Sequence, residues 1–473
     1  MKIFQSFFIV FLFATGLGFA QTLSLEECIA MALDKNISIK QANLEIDNAK
    51  VEQSDARSAF LPNINVQSSH SWNIGLNQNI TTGILENQTT QFTSIGGSVG
   101  MSIFNGRKNF TQLYRSNLNL LAREYQLKDM ADDVRLLVAN AFLQIMFNNE
   151  ILNVSQTQLA LSQTELARTK NLIESGILAP GDVYEIQATV AAQEQALILA
   201  ENNLRLSKIN LAQLLLIQDY ENFDIKLEDL EVPFSEILTK APKEIYEKAL
   251  TFRNDIQIAN TNVEIAETDI KLAKADQLPS LSGFYSYSTR ISYSDRRLPS
   301  GTFTTQPIGF LESTGESVLT QIPNTRIVGP DSFFNQWSLF DGHNFGLQLS
   351  IPIFNRNAVR NRITRSQINL ERLTNQLEQE KLNLENTINQ AYNDTKGAYK
   401  VHEAAQVTRL ARQQAYANAT DRLAAGAINS FEFIQSKQRY EAAVSDAIRA
   451  KFDYIFRLKI LEFYFGLPVQ LRP

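Results

Sequence analysis

The chain has 473 residues, with 44 Lys and Arg against 50 Asp and Glu, and a formal net charge of −6. This mild acidity disfavours nucleic-acid binding, because proteins that neutralise many phosphates carry a basic surplus. The apolar fraction of 44% is normal for a folded protein and argues against disorder.

Cysteine and histidine are scarce in this sequence. Cys28 is the only cysteine, and His70, His343 and His402 are the only histidines, far apart along the chain. An intrachain disulfide is impossible, and a thiolate-based or histidine-based metal site has no cluster of ligands from which to form. The sequence has no nucleophile elbow and no Gly-rich phosphate loop either. We therefore predict no cofactor, no metal site and no enzymatic activity.

Residues 1–20 have the features of a cleavable signal peptide. Lys2 precedes an apolar run from Phe7 to Phe13, and the small residues Gly18 and Ala20 end the segment. The run is too short for a membrane anchor. The mature chain is thus predicted to be exported. No later stretch approaches the apolar length of a spanning helix, so a mature chain that crosses a membrane must do so as strands.

The rest of the chain is a duplication, with a first repeat at 21–240 and a second at 241–473. Short motifs recur at one offset of 217 and, further on, at one offset of 250. The additional 33 residues fall in a Gly-, Ser-, Thr- and Pro-rich insertion of the second repeat, predicted to be an external loop at about 295–334. The recurring motifs are Ala32-Leu33 and Ala249-Leu250, Ala42-Asn43 and Ala259-Asn260, Leu61-Pro62 and Leu278-Pro279, and Ile103-Phe104-Asn105 and Ile353-Phe354-Asn355.

Each repeat is predicted to contain three helices, bounded by Gly and Pro. They are 24–60, 106–174 and 182–217 in the first repeat, and 242–277, 356–424 and 428–465 in the second. The helix at 106–174 would be roughly 100 Å long at 1.5 Å per residue. It carries a seam with the alternating spacing of a coiled coil, formed by Leu127, Ala131, Val134, Val138, Ala141, Ile145, Asn148, Leu152, Ser155, Leu159, Ser162, Leu166, Thr169 and Ile173.

Four segments alternate apolar and polar residues with period two and are predicted to be strands. They are 63–76, 92–104, 279–294 and 340–354. Their polar positions are Ser, Asn, Gln and Gly rather than Lys and Glu, with Arg290 the only obvious charge. This composition is typical of a barrel wall with one face toward lipid and the other toward a water-filled lumen, where we place Arg290. Trp72, Tyr293, Trp337 and Phe340 would supply an interfacial aromatic belt.

Four strands cannot close a membrane barrel, which needs about eight. Several copies must therefore pool their strands, giving eight strands as a dimer or twelve as a trimer. A helical tube wide enough to continue the lumen favours the trimer. The predicted fold class is a mixed α and β membrane protein, whose trimer forms a 12-stranded β-barrel continued by a long α-helical coiled-coil tunnel.

The duplicated order of helix, strand, strand, long helix and shorter helix resembles the TolC-type outer-membrane efflux proteins over nearly the whole mature chain. Local motifs agree with this resemblance in their order and spacing. They are the helix ends Leu61-Pro62 and Leu278-Pro279, the strand exits Ile103-Phe104-Asn105-Gly106 and Ile353-Phe354-Asn355-Arg356, and the turn Ser175-Gly176-Ile177-Leu178 followed by Asp182-Val183.

The resemblance implies a homotrimer in the outer membrane, in contact with its lipid, whose helical tunnel crosses the periplasm. It would act as the passive exit duct of a tripartite efflux pump. The partners it implies are a periplasmic adaptor protein and an inner-membrane pump of the resistance or ABC type. The helix tips would dock the adaptor, and acidic residues beyond the tips would narrow the periplasmic aperture. Carried over by position, the tip residues are Gly176, Ile177, Gly426 and Ala427, and the aperture residues are Asp182, Glu432 and Gln435.

The aperture positions have an alternative interpretation. A carboxylate in the first turn of a helix stabilises the helix end, which could account for Asp182 and Glu432 without a role in gating. Gln435 stands where the family pattern suggests a second acidic residue, so the ring at Glu432 would favour cations more weakly. Two other functions stay open at this point: a type I protein secretion duct, and a trimeric surface adhesin or scaffold. The sequence does not identify the cargo.

Overall fold

A computed structural model describes residues 22–78, 85–176, 179–227, 232 and 235–467. The predicted signal peptide at 1–20 lies outside these residues. A 3-10 helix spans Glu236–Thr239. The other elements, in chain order, are β1 (Thr22–Leu23), α1 (Leu25–Lys35), α2 (Ile37–Ser58), β2 (Asn63–Gln78), β3 (Leu85–Asn105), α3 (Lys108–Glu174), α4 (Asp182–Leu214), β4 (Asp224–Ile225), α5 (Pro242–Phe252), α6 (Asn254–Ala275), β5 (Ser280–Ser292), β6 (Arg296–Phe310), β7 (Ser317–Val328), α7 (Phe333–Leu339), β8 (Gly342–Ser350), α8 (Ala358–Ala424) and α9 (Ser430–Tyr464).

The helices of the two repeats match in length as well as in order. The long helices α3 and α8 have 67 residues each. The pairs α1 with α5 and α2 with α6 have 11 and 22 residues in both repeats. The mixed α and β fold class and the duplicated element order are thereby confirmed.

Each predicted entry helix is interrupted once, a break that the sequence interpretation missed. Asn36 ends α1 in an extended conformation, and its side chain accepts a hydrogen bond of 2.8 Å from the backbone N–H of Ser38. A short polar side chain of this kind competes with the helical backbone and caps the next helix. Arg253 occupies the equivalent break between α5 and α6. The segments predicted as 24–60 and 242–277 are therefore two helices each.

The chain forms two compact units. The first comprises the segments up to Lys50, Leu118–Glu264 and Leu370 onward. It is mainly helical, with a short parallel pairing of β1 with β4. In α3, Phe142, Leu143 and Met146 are buried beside the predicted seam. Seven positions of the seam itself are also buried: Val134, Val138, Ile145, Asn148, Ser155, Ser162 and Thr169.

The second unit comprises Val51–Asn117 and Ile265–Asn369. It contains an antiparallel four-stranded sheet in the order β2-β3-β5-β8. Within the described residues, β2 and β8 each pair on one side only, so the sheet has two open edges. An open edge presents unpaired backbone N–H and C=O groups that favour pairing with another chain.

The insertion predicted as a loop at about 295–334 has regular structure instead. Strands β6 and β7 form an antiparallel hairpin, and the short helix α7 follows it. Helix α7 packs on β5 through Gln336, whose side chain accepts from the backbone N–H of Ser292 at 2.8 Å. Trp337 therefore lies in a helix, and Phe340 lies between that helix and β8. Strand β8 begins at Gly342, whereas the sequence predicted a start at 340.

The passage from strand to long helix uses the same backbone conformation in both repeats. Gly106 and Arg107 have φ of 66–67°, and Arg356 and Asn357 have φ of 55° and 61°. At Gly106 the neighbouring backbone is close, because a Cβ there would lie 2.8 Å from the carbonyl oxygen of Ala275. The first repeat thus requires glycine at this turn.

Candidate functional site

Strand register places the apolar positions of all four strands on one face of the sheet. Across the sheet, Ile64 pairs with Val99, Val99 with Tyr285, and Tyr285 with Phe345. The face is open, with 79% of Val66 and 76% of Phe345 exposed. The opposite face carries Ser, Asn, Gln and Gly at successive pairs, including Asn65↔Ser98, Ser98↔Ser286 and Ser286↔Asn344. The sheet therefore separates an apolar surface from a predominantly polar one.

Arg290 lies on this polar face, paired with Ser94. Its guanidinium carbon is 3.8 Å from the centre of the Phe92 ring, a cation–π contact. Phe92 is on the same face, so this mainly polar face also carries an aromatic side chain. The contact holds the charge of Arg290 close to the wall of the sheet.

Aromatic side chains gather at one end of the apolar face. The His70 ring lies 4.3 Å from the Trp72 ring and 5.5 Å from the Tyr293 ring. Tyr287 lies 6.2 Å from Trp337 of α7. Trp and Tyr concentrate where a membrane meets water, since their rings are apolar and their polar groups can be hydrated. This arrangement supports three members of the predicted belt, Trp72, Tyr293 and Trp337.

Gly176 and Gly426 end the two long helices in the left-handed conformation, with φ of 74° and 69°. After α8, the N–H of Gly426 donates to Leu423 and the N–H of Ala427 donates to Arg422. This double pattern is a Schellman motif, which satisfies the last carbonyls of a helix and stops it. Gly176 makes the corresponding bond to Ile173. Ile177 lies outside the described residues.

Glu432 lies in the first turn of α9, which Asn429 caps by accepting from the N–H of Glu432 at 2.9 Å. The Glu432 and Gln435 side chains are exposed, while Phe433 and Ile434 between them are buried. Residues three apart share a helix face. Glu432 and Gln435 therefore lie together on the outer face of α9, whereas Phe433 and Ile434 anchor it.

Asp182 does not occupy the position equivalent to Glu432. It is the first residue of α4, whereas Glu432 is the third residue of α9. Burial gives the same alignment, because the buried Ile186 matches the buried Ile434. The turn between α3 and α4 is thus two residues longer than its counterpart. The structure does not bring Asp182 and Glu432 into one matched pair.

A buried charged cluster in the first unit escaped the sequence interpretation. Lys437 of α9 donates to the Ser162 hydroxyl of α3 at 2.7 Å and lies 3.8 Å from Glu441. Gln193 of α4 donates to the other oxygen of Glu441 at 2.9 Å. Burial lowers the pKa of the Lys437 ammonium and raises the pKa of the Glu441 carboxyl, while their mutual attraction opposes both shifts. The cluster links three helices.

The described residues contain no group of three or more His, Cys, Asp or Glu side chains that could hold a metal ion. Across the same parts of the chain, no helix has the length and apolarity needed to span a membrane.

The fold closely matches solved structures of outer-membrane channels. The structure of CusC has 16% identity and a TM-score of 0.74, with 94% of this chain and 92% of that chain covered. VceC from Vibrio cholerae has 13% identity and a TM-score of 0.73, covering 94% and 97%. The Campylobacter jejuni CmeC channel has 15% identity and a TM-score of 0.71, covering 93% and 85%. These likenesses establish the fold. None of the curated proteins matches the chain.

The sequence itself matches the outer membrane efflux protein family over residues 28–215 and 245–466. The chain belongs to this family of outer-membrane channels. It is an exit duct for efflux across the outer membrane and not an enzyme. Channels of this family are homotrimers that work with efflux pumps.

Proposed function

We propose that three copies of this chain join their four-stranded sheets into a closed ring of twelve strands around a water-filled passage. The two open edges of the sheet carry this proposal, because closure removes unpaired backbone groups that lipid cannot satisfy. The four strands alternate in direction across the sheet, so β8 would run antiparallel to β2 of the next copy. The polar face then lines the passage, and the apolar face contacts lipid.

The turns at Gly176, Ile177, Gly426 and Ala427 dock a periplasmic adaptor protein, which connects the duct to an inner-membrane pump of the resistance or ABC type. Support comes from the stable Schellman turn at Gly426 and Ala427, which presents a defined surface beyond the long helix. Conduction is passive, since the pump supplies the energy. Secretion of polypeptides by a type I system is the second candidate and would use the same duct.

Two measurements on the purified mature chain in detergent test the duct. Light scattering should give the mass of three copies, and the protein in planar bilayers should pass steady ionic current. An adhesin anchor filled by its own helices would pass little current. Absence of conductance from a correctly assembled trimer would therefore contradict the proposed water-filled passage.

We place the periplasmic aperture at Glu432, with Gln435 on the same face of α9 and Asp182 at the start of α4. Glu432 is exposed on α9, and a ring of three carboxylates attracts cations. Glu432→Ala should therefore lower the cation-to-anion permeability ratio, read from the reversal potential under a salt gradient. Gln435→Glu adds a second carboxylate to the same face and should raise the ratio.

The control is Glu380→Ala, which removes an exposed carboxylate from α8. It should leave ion selectivity unchanged. Equal effects of Glu380→Ala and Glu432→Ala would assign selectivity to the overall charge of the protein instead of the aperture. Unchanged selectivity in Glu432→Ala would remove Glu432 from the aperture and leave it as a helix-end carboxylate.

A further inference from the structure

The hairpin of β6 and β7 stands apart from the rest of its unit. Among the described elements, its two strands pack mainly against each other, and an ion pair between Arg296 and Asp331 holds its base. Large apolar side chains are nevertheless exposed along it, with 61% of Phe303, 72% of Phe310 and 60% of Leu319 accessible. An isolated two-stranded hairpin is at best marginally stable in water, so a partner surface is expected.

The register of the hairpin gathers these apolar side chains on one face. Phe303 pairs with Pro323, and Pro307 pairs with Leu319. A bulge after Pro307 shifts the register by one residue, which returns Phe310 to the same face as Leu319. The opposite face is more polar, with Thr304, Gln306 and Thr320, although it also carries Val318 and Ile322. We call the side that carries Phe303, Pro307, Phe310, Leu319 and Pro323 the apolar face of the hairpin.

Charge and proline content restrict what this face can bind. Residues 298–311 and 317–325 contain no Asp, Glu, Lys or Arg, so identical copies do not repel each other and a charged partner finds no complement. Pro299, Pro307 and Pro323 lie within the strands. Proline cannot donate a backbone hydrogen bond and disfavours the addition of another strand at an edge. The hairpin is therefore suited to packing through its face.

We propose that the apolar face of the hairpin packs against the same face of the neighbouring copies, forming a collar that joins the three chains. The proposal rests on the trimer described under the proposed function. The hairpin is inserted between β5 and β8, and β8 is an open edge of the sheet. Its base therefore adjoins the edge through which copies join, and the interface continues from that edge into the hairpin.

Single-cysteine variants of the full mature chain in a Cys28→Ala background test the collar. Phe303→Cys and Leu319→Cys place a thiol on the apolar face, and Gln306→Cys places a matched thiol on the opposite face. All three positions are exposed, so the substitutions remove no buried contact. Purified trimers are treated with a short bismaleimide. Covalent dimers are expected from Phe303→Cys and Leu319→Cys, with little or none from Gln306→Cys.

Labelling with a water-soluble maleimide shows whether the apolar face of the hairpin is covered by neighbouring copies, is covered by something else, or is free in water. Phe303→Cys and Leu319→Cys should react more slowly than Gln306→Cys when the collar is formed. Equal fast labelling without cross-linking would show a hairpin free in water and overturn the collar. Slow labelling without cross-linking would indicate lipid or another partner and would also overturn it. The mass of the protein in detergent tests the trimer separately from the collar. Trimers that form without hairpin cross-links would contradict the collar and leave the proposed trimer intact.

Discussion

A lysine and a glutamate are buried together in the first unit, where charges are costly. The pair is retained through its hydrogen bonds, since Lys437 donates to Ser162 and Glu441 accepts from Gln193. One Glu441 oxygen has no hydrogen-bond partner and depends on Lys437 alone, 3.8 Å away. Removing one member of such a pair leaves an uncompensated buried charge, whereas replacing both with apolar residues is often tolerated.

We expect Lys437→Met to destabilise the protein by about 3–5 kcal/mol, because the carboxylate of Glu441 then stays buried without a cation. Heating followed by circular dichroism of the helices measures the effect as a lower melting temperature. The double variant Lys437→Met with Glu441→Leu should recover most of the loss. A double variant as unstable as the single one would show that cavity formation, and not the unpaired charge, causes the effect.

Asp129 gives a pH-dependent contribution to stability. Burial, together with the neighbouring Asp255, raises the pKa of its carboxyl to about 6, although Arg253 opposes both effects. A raised pKa means that the folded state holds the proton more tightly, so stability is fully present below about pH 4 and is lost as pH rises to about 6. With 31% of the side chain exposed, the loss is on the order of 1 kcal/mol.

Asp129→Asn should therefore raise the melting temperature relative to the parent chain at pH 7.5 and leave it nearly equal at pH 4. Glu150→Gln, an exposed position on the same helix, is the matched control and should change neither value. The assignment is wrong if Asp129→Asn lowers the melting temperature at pH 7.5. That result would mean that attraction to Arg253 outweighs the cost of burying the carboxylate.

Residues whose role depends on local spacing were predictable from sequence, and those that depend on distant partners were not. Ser155, Ser162 and Thr169 recur every seven residues, so their place in a helix seam was evident. A lysine and a glutamate four residues apart, such as Lys437 and Glu441, are typical of the exposed face of a helix, so their spacing gives no sign of burial. Their burial follows from packing against α3 and α4, through partners that lie 275 and 248 residues away in sequence.

At the scale of the elements, the helix stop at Gly426 is determined by backbone conformation alone. Nothing lies within 4 Å of a Cβ added there, and φ is +69°. Gly426→Ala should therefore cost about 1 kcal/mol through the left-handed conformation and not through a clash. The measurement is the melting temperature, and adaptor binding can be read in the same variant.

Gly397 is the matched control because it is also exposed and free of neighbours, but lies within α8. Gly397→Ala should stabilise the helix by about 0.5–1 kcal/mol, the opposite sign. If both substitutions shifted the melting temperature in the same direction, the Schellman stop at Gly426 would be contradicted.

The long helices were the most predictable elements, because 67 residues without proline leave few alternatives. Helix α3 begins at Lys108 where the sequence indicated 106. The hairpin of β6 and β7 was missed since its Gly, Pro, Ser and Thr content is typical of loops and its prolines conceal the alternation. The break at Asn36 was missed because Asn is only mildly unfavourable within a helix.

At the scale of the whole molecule, the duplication produces two strands per repeat and a sheet that cannot close by itself. Alternation of residues predicted the two faces, and register confirms that they extend across all four strands. Sequence could indicate that copies must pool strands, but it could not give the register between copies. That register depends on how far neighbouring strands are shifted along one another when the barrel closes, and only the assembled ring determines this shift.

Side chains alternate between the two faces of a strand, and this alternation predicts which residues of β8 can lie beside β2 of the next copy. A shift of one residue would exchange the faces, so polar-face residues must neighbour polar-face residues. In a Cys28→Ala background, Asn65→Cys on β2 is combined with a cysteine at Asn344, Gly346 or Gln348 of β8. At least one combination should form disulfides between copies and give a covalent trimer on denaturing gels. Combining Asn65→Cys with Leu347→Cys, on the apolar face, should not.

The result is specific because three identical junctions must close together. A ring gives covalent trimers as its largest product, whereas open association of sheet edges would give a ladder beyond three. Covalent trimers from the Leu347→Cys combination would mean that the polar face does not run continuously from copy to copy, and a passage lined by Ser, Asn and Gln would then be excluded.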